Sequence, residues 1–397
     1  MRRLVLAVVA VIVAVGAASA EVRYGSRPLV VESLREWKKV HRPLIYDFFE
    51  REVYGRQPQR DVTVEYRLLD VDSAACGGVA VRRQVAMHIE GMATPVLLLV
   101  YHPREAVGSV PVFLGMNFKG NHNVEADEAI IISPNAPKRL RRDPARGAAV
   151  SRWPLRMIIE AGYGVVTFCR ADIDPDFDDG FQNGVHPLFY REGQTRPSAD
   201  EWGTIAAWAW GLSRAMDYIE QDKMLNEKHV AVIGHSRLGK TALWAAATDP
   251  RFAIAISNNS GCTGAALSSR CQGETVFEIN KRFPHWFCEN YKRYSNAEHT
   301  LPIDQQGLIA LIAPRPVYVA SSAEDRWADP EGEFLAALFA SPIYELYGRK
   351  GLSAKTMPAV HEPAAEGDIA YHVKAGKHGI TAYDWEQYIR FADRYFK

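Results

Sequence analysis

Hydrophobic positions change their spacing several times along the chain. Val62 to Leu69, Val81 to Ile89 and Pro95 to Tyr101 alternate apolar with polar side chains or run short and apolar, which predicts antiparallel strands at the start of the fold. A short apolar run at Val110 to Gly115 follows, and from there strands and helices take turns. Met157 to Ala161 closes a helix, Gly164 to Cys169 is a strand, and Thr204 to Ile219 carries a strong helical period. His229 to Ile233, Phe252 to Ser257, Arg315 to Ser321 and Ala370 to Lys374 read as strands. Leu238 to Ala247, Glu331 to Ala340 and Tyr383 to Tyr395 read as helices. This βαβ alternation predicts an α/β fold with a mostly parallel sheet covered by helices on both faces.

Two stretches break the rhythm. Gly120 to Arg146, rich in Asn, Pro and Arg, reads as an inserted surface loop, and Gly264 to Leu308 as a segment that caps the site. No internal repeat is visible, and one domain with insertions over residues 21–397 is preferred to two. Residues 1–20 stand apart. Arg2 and Arg3 precede an apolar run from Leu4 to Ala17 and then Ala18-Ser19-Ala20, the pattern of a secretory signal peptide cleaved after Ala20. The run is too short to span a bilayer, so the expected product is exported, secreted or periplasmic, without stable membrane attachment.

Composition adds mainly exclusions. The 397 residues are 47% hydrophobic, enough for a large core, and 47 Lys plus Arg balance 47 Asp plus Glu, so no basic excess points to nucleic acid. The five cysteines (Cys76, Cys169, Cys262, Cys271 and Cys288) are odd in number and lack metal-ligand spacing. Cys262 and Cys271 could close a small loop, although buried free thiols are the preferred reading, and no metal site is expected.

The segment His229-Val-Ala-Val-Ile-Gly-His-Ser-Arg-Leu-Gly-Lys240 carries the clearest chemistry. An apolar strand runs into Gly234-His235-Ser236 and then directly into a helix, which is a nucleophile elbow except that Leu238 takes the place of its last glycine. Such a turn lifts the serine hydroxyl above the sheet and aims a helix N-terminus at charge developing beside it. A serine needs a base and an orienting acid, and both follow in the chain order of an α/β-hydrolase. Glu324, Asp325 and Asp329 lie just past the strand ending near Ser321, and His378 sits between the last strand and the terminal helix. Asp329, followed by Pro330 and a helical run, reads as an N-cap. Of the twelve histidines, His378 is the candidate base. His235 is expected to point away across the turn, and His372 lies inside a strand.

Several further motifs, in order, make the chain similar to the glucuronoyl esterases of carbohydrate esterase family 15, and to the bacterial branch in particular. They are Gly-x-Ser-Arg-x-Gly-Lys at the elbow, Gly273-Glu-Thr-Val276, Phe283-Pro-His-Trp-Phe-Cys288, Leu308 to Pro316, Glu324-Asp-Arg-Trp-Ala-Asp-Pro330 and Lys377-His-Gly-Ile-Thr-Ala-Tyr-Asp-Trp385. The resemblance spans most of the chain beyond the leader. It implies hydrolysis of esters joining 4-O-methyl-glucuronate on xylan to lignin alcohols, without metal or organic cofactor. By position it implies Ser236 as nucleophile, His378 as base and acid, Asp325 as orienting acid and Arg237 as oxyanion partner. Lys240, Glu274 and Trp327 would then bind the uronate ring. The second oxyanion donor is expected around Met116-Asn-Phe-Lys119. Asn259 stands where fungal members carry the triad glutamate, and His235 and Gly379 stand where those members carry a disulfide.

The leading expectation is therefore a secreted, monomeric serine esterase acting on glucuronoxylan or lignin-carbohydrate esters. An acetyl-xylan or other carbohydrate esterase with the same machinery is the alternative, because fold and triad do not choose a substrate. A noncatalytic carbohydrate-binding protein is a third reading, opposed by the intact Ser, Asp and His set.

Overall fold

In the computed structural model, residues 24–142 and 145–397 are described; the expected leader at 1–20 lies outside them. The described strands β1 (Val64–Ala74), β2 (Ala80–Ile89), β3 (Val96–Pro103), β4 (Val110–Asn117), β5 (Gly164–Cys169), β6 (Leu225–His235), β7 (Ile254–Asn258), β8 (Val317–Ser322) and β9 (Ile369–Lys374) form one sheet in the order β1-β2-β3-β5-β4-β6-β7-β8-β9. The first three pair antiparallel, and β3 joins β5 antiparallel. From β5 through β4 to β9 every pairing is parallel.

Alternation within the buried strands explains the layers. Val230 and Val232 of β6 join a core under the helices Thr204–Ile219, Arg237–Thr248, Gln305–Ile312 and Pro330–Leu346, whereas Ala231 and Ile233 join the opposite core, with Trp385, Tyr388 and Phe391 of the helix Ala382–Phe396. The result is the three-layer α/β-hydrolase architecture expected from the sequence.

Three differences from the sequence reading stand out. The chain is helical over 34–53 and buries Trp37, Ile45, Phe49 and Val53. The described residues of 120–146 do not form a loose surface loop. Asn121, His122, Asn123, Ser133, Val124 and Ile130 are buried, and Asn121 Nδ2 donates to Leu97 O of β3 at 2.7 Å. Polar composition misled here because its Asn side chains bond other groups of the protein rather than water. The third difference is the helix starting at Pro330, which runs on past Ser341 and Pro342 to Leu346.

The sharpest local requirement is at the elbow. Ser236 has φ 59° and ψ −130°, and its N–H donates to Asn258 O at 2.8 Å. Gly234 lies against the carbonyl of Leu238, so a Cβ there would overlap main chain. Side-chain movement cannot relieve that overlap. We therefore expect Gly234→Ala to destabilise the protein by more than about 3 kcal/mol, read by thermal unfolding against wild type; a loss below about 1 kcal/mol would mean the turn can open.

Candidate active site

Four neighbouring parallel strands deliver the candidate residues to one sheet edge. In register, His235 of β6 pairs with Asn258 of β7, Asn258 with Ala320 of β8, and Ala320 with His372 of β9. The segments leaving these carboxyl ends carry Ser236, Asn259, Asp325 and His378, as open α/β sheets place their sites.

The structure brings His378 and Asp325 together. His378 Nδ1 lies 2.5 Å from Asp325 Oδ2, with Asp325 almost buried and His378 partly open. Burial alone would raise the Asp325 carboxyl. The His378 contact and the Nδ2 of Asn259, donating at 2.9 Å, outweigh it and hold the carboxyl below the usual carboxylate range. Asn259 Oδ1 in turn accepts from Ser322 Oγ at 3.2 Å, which fixes the direction of that amide. Glu324 is exposed. Asp329 is the N-cap of its helix, accepting from Gly332 N at 3.0 Å, and Arg270 Nε lies 2.8 Å from its carboxylate.

The loop bearing His378 is pinned at both ends. Lys374 Nζ donates to Gly379 O at 2.7 Å and Ser322 Oγ at 2.5 Å, and Thr381 forms a capping box with Asp384. Asp384 also contacts the buried His372 at 3.0 Å and receives Asn258 Nδ2 at 3.0 Å. His235 does not turn away as expected from sequence. Its ring packs 4.5 Å from that of His378, centroid to centroid, and its Nδ1–H donates to Asn258 Oδ1 at 2.6 Å. Burial, then the neighbouring His378, pushes its pKa down to about 3, so His235 is a neutral surface under the candidate base.

Arg237 is set in place by a residue that sequence reasoning missed. Asp176, on the loop after β5, takes Arg237 Nη1 and also Arg170 at 2.9 Å, Trp286 Nε1 at 2.8 Å and His285 Nε2 at 3.3 Å. These donors and cations overcome burial and hold Asp176 well below the usual carboxylate range. The Arg237 guanidinium lies over the rings of Trp286 and Phe283, at 4.5 Å and 5.0 Å. Its buried Nε has no hydrogen-bond partner among the described residues. Another missed residue is Glu333, buried beneath the site, where burial pushes its pKa up to about 7. It accepts from the N–H groups of Ser260 and Gly261 at 2.7 Å and 3.0 Å, fixing the loop that follows Asn259.

Two cavities meet at Ser236, Arg237 and His378. One, of about 270 Å³, is lined by Lys240, Glu274 and Trp327, together with Asn259, Asp325 and Trp286. Trp327 is exposed, and its Nε1 donates to Glu274 Oε1 at 3.3 Å. Lys240 is not a solvated helix lysine: it is buried, donates to Ser260 O and Cys262 O at 2.5 Å each, and lies 3.6 Å from Glu274. The segment expected to cap the site thus supplies a wall through Glu274, Phe283 and Trp286. The other cavity, of about 660 Å³, includes Phe118 and Lys119 from the stretch expected to hold the second oxyanion donor.

Cys169, Cys262 and Cys288 are buried free thiols and Cys76 is half-buried; Cys271 is also free but exposed, contrary to the burial expected of it. Among the described residues, no cluster of three His, Cys, Asp or Glu side chains is arranged to hold a metal ion. No described helix is long and apolar enough to cross a membrane.

A family model described as glucuronyl esterase, fungi, matches residues 147–348. Carbohydrate esterase MZ0003, from an unknown prokaryotic organism, is 47% identical, the match covering 92% of this chain and 86% of that protein. A glucuronoyl esterase from Solibacter usitatus has the same fold with a TM-score of 0.86 at 45% identity, covering 91% of this chain and 93% of that one. A promiscuous family 15 carbohydrate esterase from a marine bacterial metagenome matches with a TM-score of 0.83 at 45% identity, covering 93% and 96%.

The geometry separates two aspartates that sequence spacing alone leaves close together. We expect Asp325→Asn to lower kcat by about 10³ to 10⁴, the scale of losing a triad acid. Asp329→Asn should keep activity and lose about 1 kcal/mol of stability. Steady-state kinetics paired with thermal unfolding check both, and the reverse pattern would overturn the assignment.

Proposed function

The chain belongs to the glucuronoyl esterase family and is a carboxylic-ester hydrolase, and from that premise we propose that it cleaves (4-O-methyl-)glucuronoyl esters linking glucuronoxylan to lignin alcohols. We place the chemistry on a Ser236, His378 and Asp325 triad, in a secreted monomer whose residues 21–397 form one catalytic domain after removal of the leader. The observation that carries this reading is the meeting of two cavities at Ser236 and His378, with Asp325 2.5 Å from the imidazole.

In this mechanism the uronate ring occupies the smaller cavity, where Trp327 offers an apolar face and Glu274 and Lys240 offer polar contacts to hydroxyl groups. Ser236 Oγ attacks the ester carbonyl while His378 takes its proton, and Asp325 stabilises the resulting imidazolium. Negative charge gathers on the carbonyl oxygen near Arg237 and the start of the elbow helix. Collapse expels the alcohol, which receives the proton from His378 and leaves through the larger cavity. Water, activated by the same imidazole, then attacks the acyl-enzyme and frees the uronate. Arg237 acts chiefly once the oxyanion forms, a contribution worth about 3 to 4 kcal/mol for one such donor.

A broader carbohydrate esterase activity is a second reading, favoured by the description of the 45%-identical marine relative as promiscuous. Hydrolysis of benzyl glucuronate, acetylated xylan and an aryl acetate by one preparation separates the two. We expect turnover of the first far above the others, and background activity for Ser236→Ala on all three. Trp327→Ala and Glu274→Gln should depress the glucuronate ester at least tenfold more than the aryl acetate, since each contacts only the ring, at about 1.4 kcal/mol per tenfold. Equal losses on both substrates would assign these side chains to the fold, and faster acetyl release than uronoyl release would support the second reading.

A further inference from the structure

The larger cavity has a charge that the proposed uronate chemistry does not require. Among the described residues its lining includes Lys119, Arg139, Arg152, Arg170 and Arg237 and no Asp or Glu. Asp176, behind the wall, pairs with Arg170 and Arg237 together, so one carboxylate faces two guanidiniums. Among the described residues, Lys119, Arg139 and Arg152 have no acidic ion-pair partner. This concentration is local, because the chain as a whole has a formal charge of zero. The smaller cavity is mixed, with Glu274 and Asp325 set against Lys240, Arg237 and Arg282.

An esterified uronate is neutral at its carboxyl, and the transient oxyanion already has Arg237. Remaining cations lined along one cavity raise the local concentration of anions by focusing the field in a low-dielectric cleft. The shape of the wall narrows the choice. The Phe118 ring has two guanidiniums near it, Arg152 at 5.9 Å and Arg170 at 5.7 Å from its centroid, which makes an aromatic surface beside positive charge. A planar ring bearing a carboxylate suits that surface better than a neutral ring does.

From this wall we propose that the larger cavity is an alcohol-side subsite for aromatic alcohols carrying a carboxylate, so that the preferred glucuronoyl esters are those whose leaving alcohol is anionic. The proposal deepens the esterase reading above and rests on it for the direction in which the ester lies. Arg152 and Arg139 are the specificity-determining residues, acting on the alcohol and not on the reacting carbonyl.

The test compares kcat/KM for three glucuronate esters: benzyl, 4-carboxybenzyl and 4-(ammoniomethyl)benzyl. We expect the carboxylate ester to exceed the benzyl ester by about tenfold at low salt and the ammonium ester to fall below it, the scale of a few partly exposed charge pairs. The preference should shrink as ionic strength rises from about 0.01 M to about 1 M, where screening falls from about 30 Å to about 3 Å. It should fall toward unity in Arg152→Gln and Arg139→Gln and persist in Arg152→Lys. Equal rates for the three esters would overturn the proposal. So would a preference unmoved by salt and by both Gln variants. A change confined to inhibition by free glucuronate would also overturn it, giving the cations to the product instead. If the benzyl ester itself is inert, the esterase reading fails separately. Calorimetric binding of 4-(hydroxymethyl)benzoate over benzyl alcohol to Ser236→Ala, weakened by Arg152→Gln, then still supports the anion subsite, and its absence overturns it.

Discussion

The close approach of β6 to the helix that follows it governs most of what the active edge can do. Ser236 occupies a backbone conformation that an L-residue rarely adopts, and it is held there because Gly234 lets the Leu238 carbonyl pass where a side chain would stand. The same turn puts Arg237 at the first position of the helix, with its guanidinium over Trp286 and Phe283. One glycine thus sets the direction of both the candidate nucleophile and the candidate oxyanion partner.

Around that turn the buried charges are arranged so that each carboxylate has one task. Asp325 orients His378, Asp176 fixes Arg237, Asp384 anchors the His378 loop through Thr381 and His372, and Glu333 holds the loop after Asn259. Burying a carboxylate is costly unless it is matched by donors or cations, so these placements also restrict how far the loops can move. Asn259 belongs to the same scheme. It carries no charge, yet its amide donates to the Asp325 oxygen that faces His378, so the position that bears the triad acid in the fungal pattern supports the acid here.

The parallel half of the sheet was legible in the sequence because its strands are buried on both faces and therefore read as short apolar runs between turn signals. The Thr204–Ile219 helix matches its expected span, and the Asp329 cap was readable from Asp-Pro ahead of a helical run. The helical stretch 34–53 escaped notice because its buried positions, Trp37, Ile45, Phe49 and Val53, form a narrow stripe within a highly charged segment. Among the site residues, the elbow, the acid and the histidine follow a chain order that chemistry imposes. Asp176 follows none: it lies 61 residues before Arg237 in a loop without a motif, and only tertiary folding shows what it does. His235 was misjudged because a strand-end side chain was assigned a direction from its neighbour, whereas burial against Asn258 and His378 decides it.

The central claim is that Ser236 becomes acylated by the uronate. Acid-quenching the wild-type enzyme during the first turnovers of a benzyl glucuronate ester, followed by peptide mass spectrometry, reads this directly. The account predicts a burst of benzyl alcohol matched by a uronoyl adduct on the peptide containing Ser236, with neither in Ser236→Ala. An adduct on a different residue, or steady hydrolysis by Ser236→Ala at the wild-type rate, would contradict it.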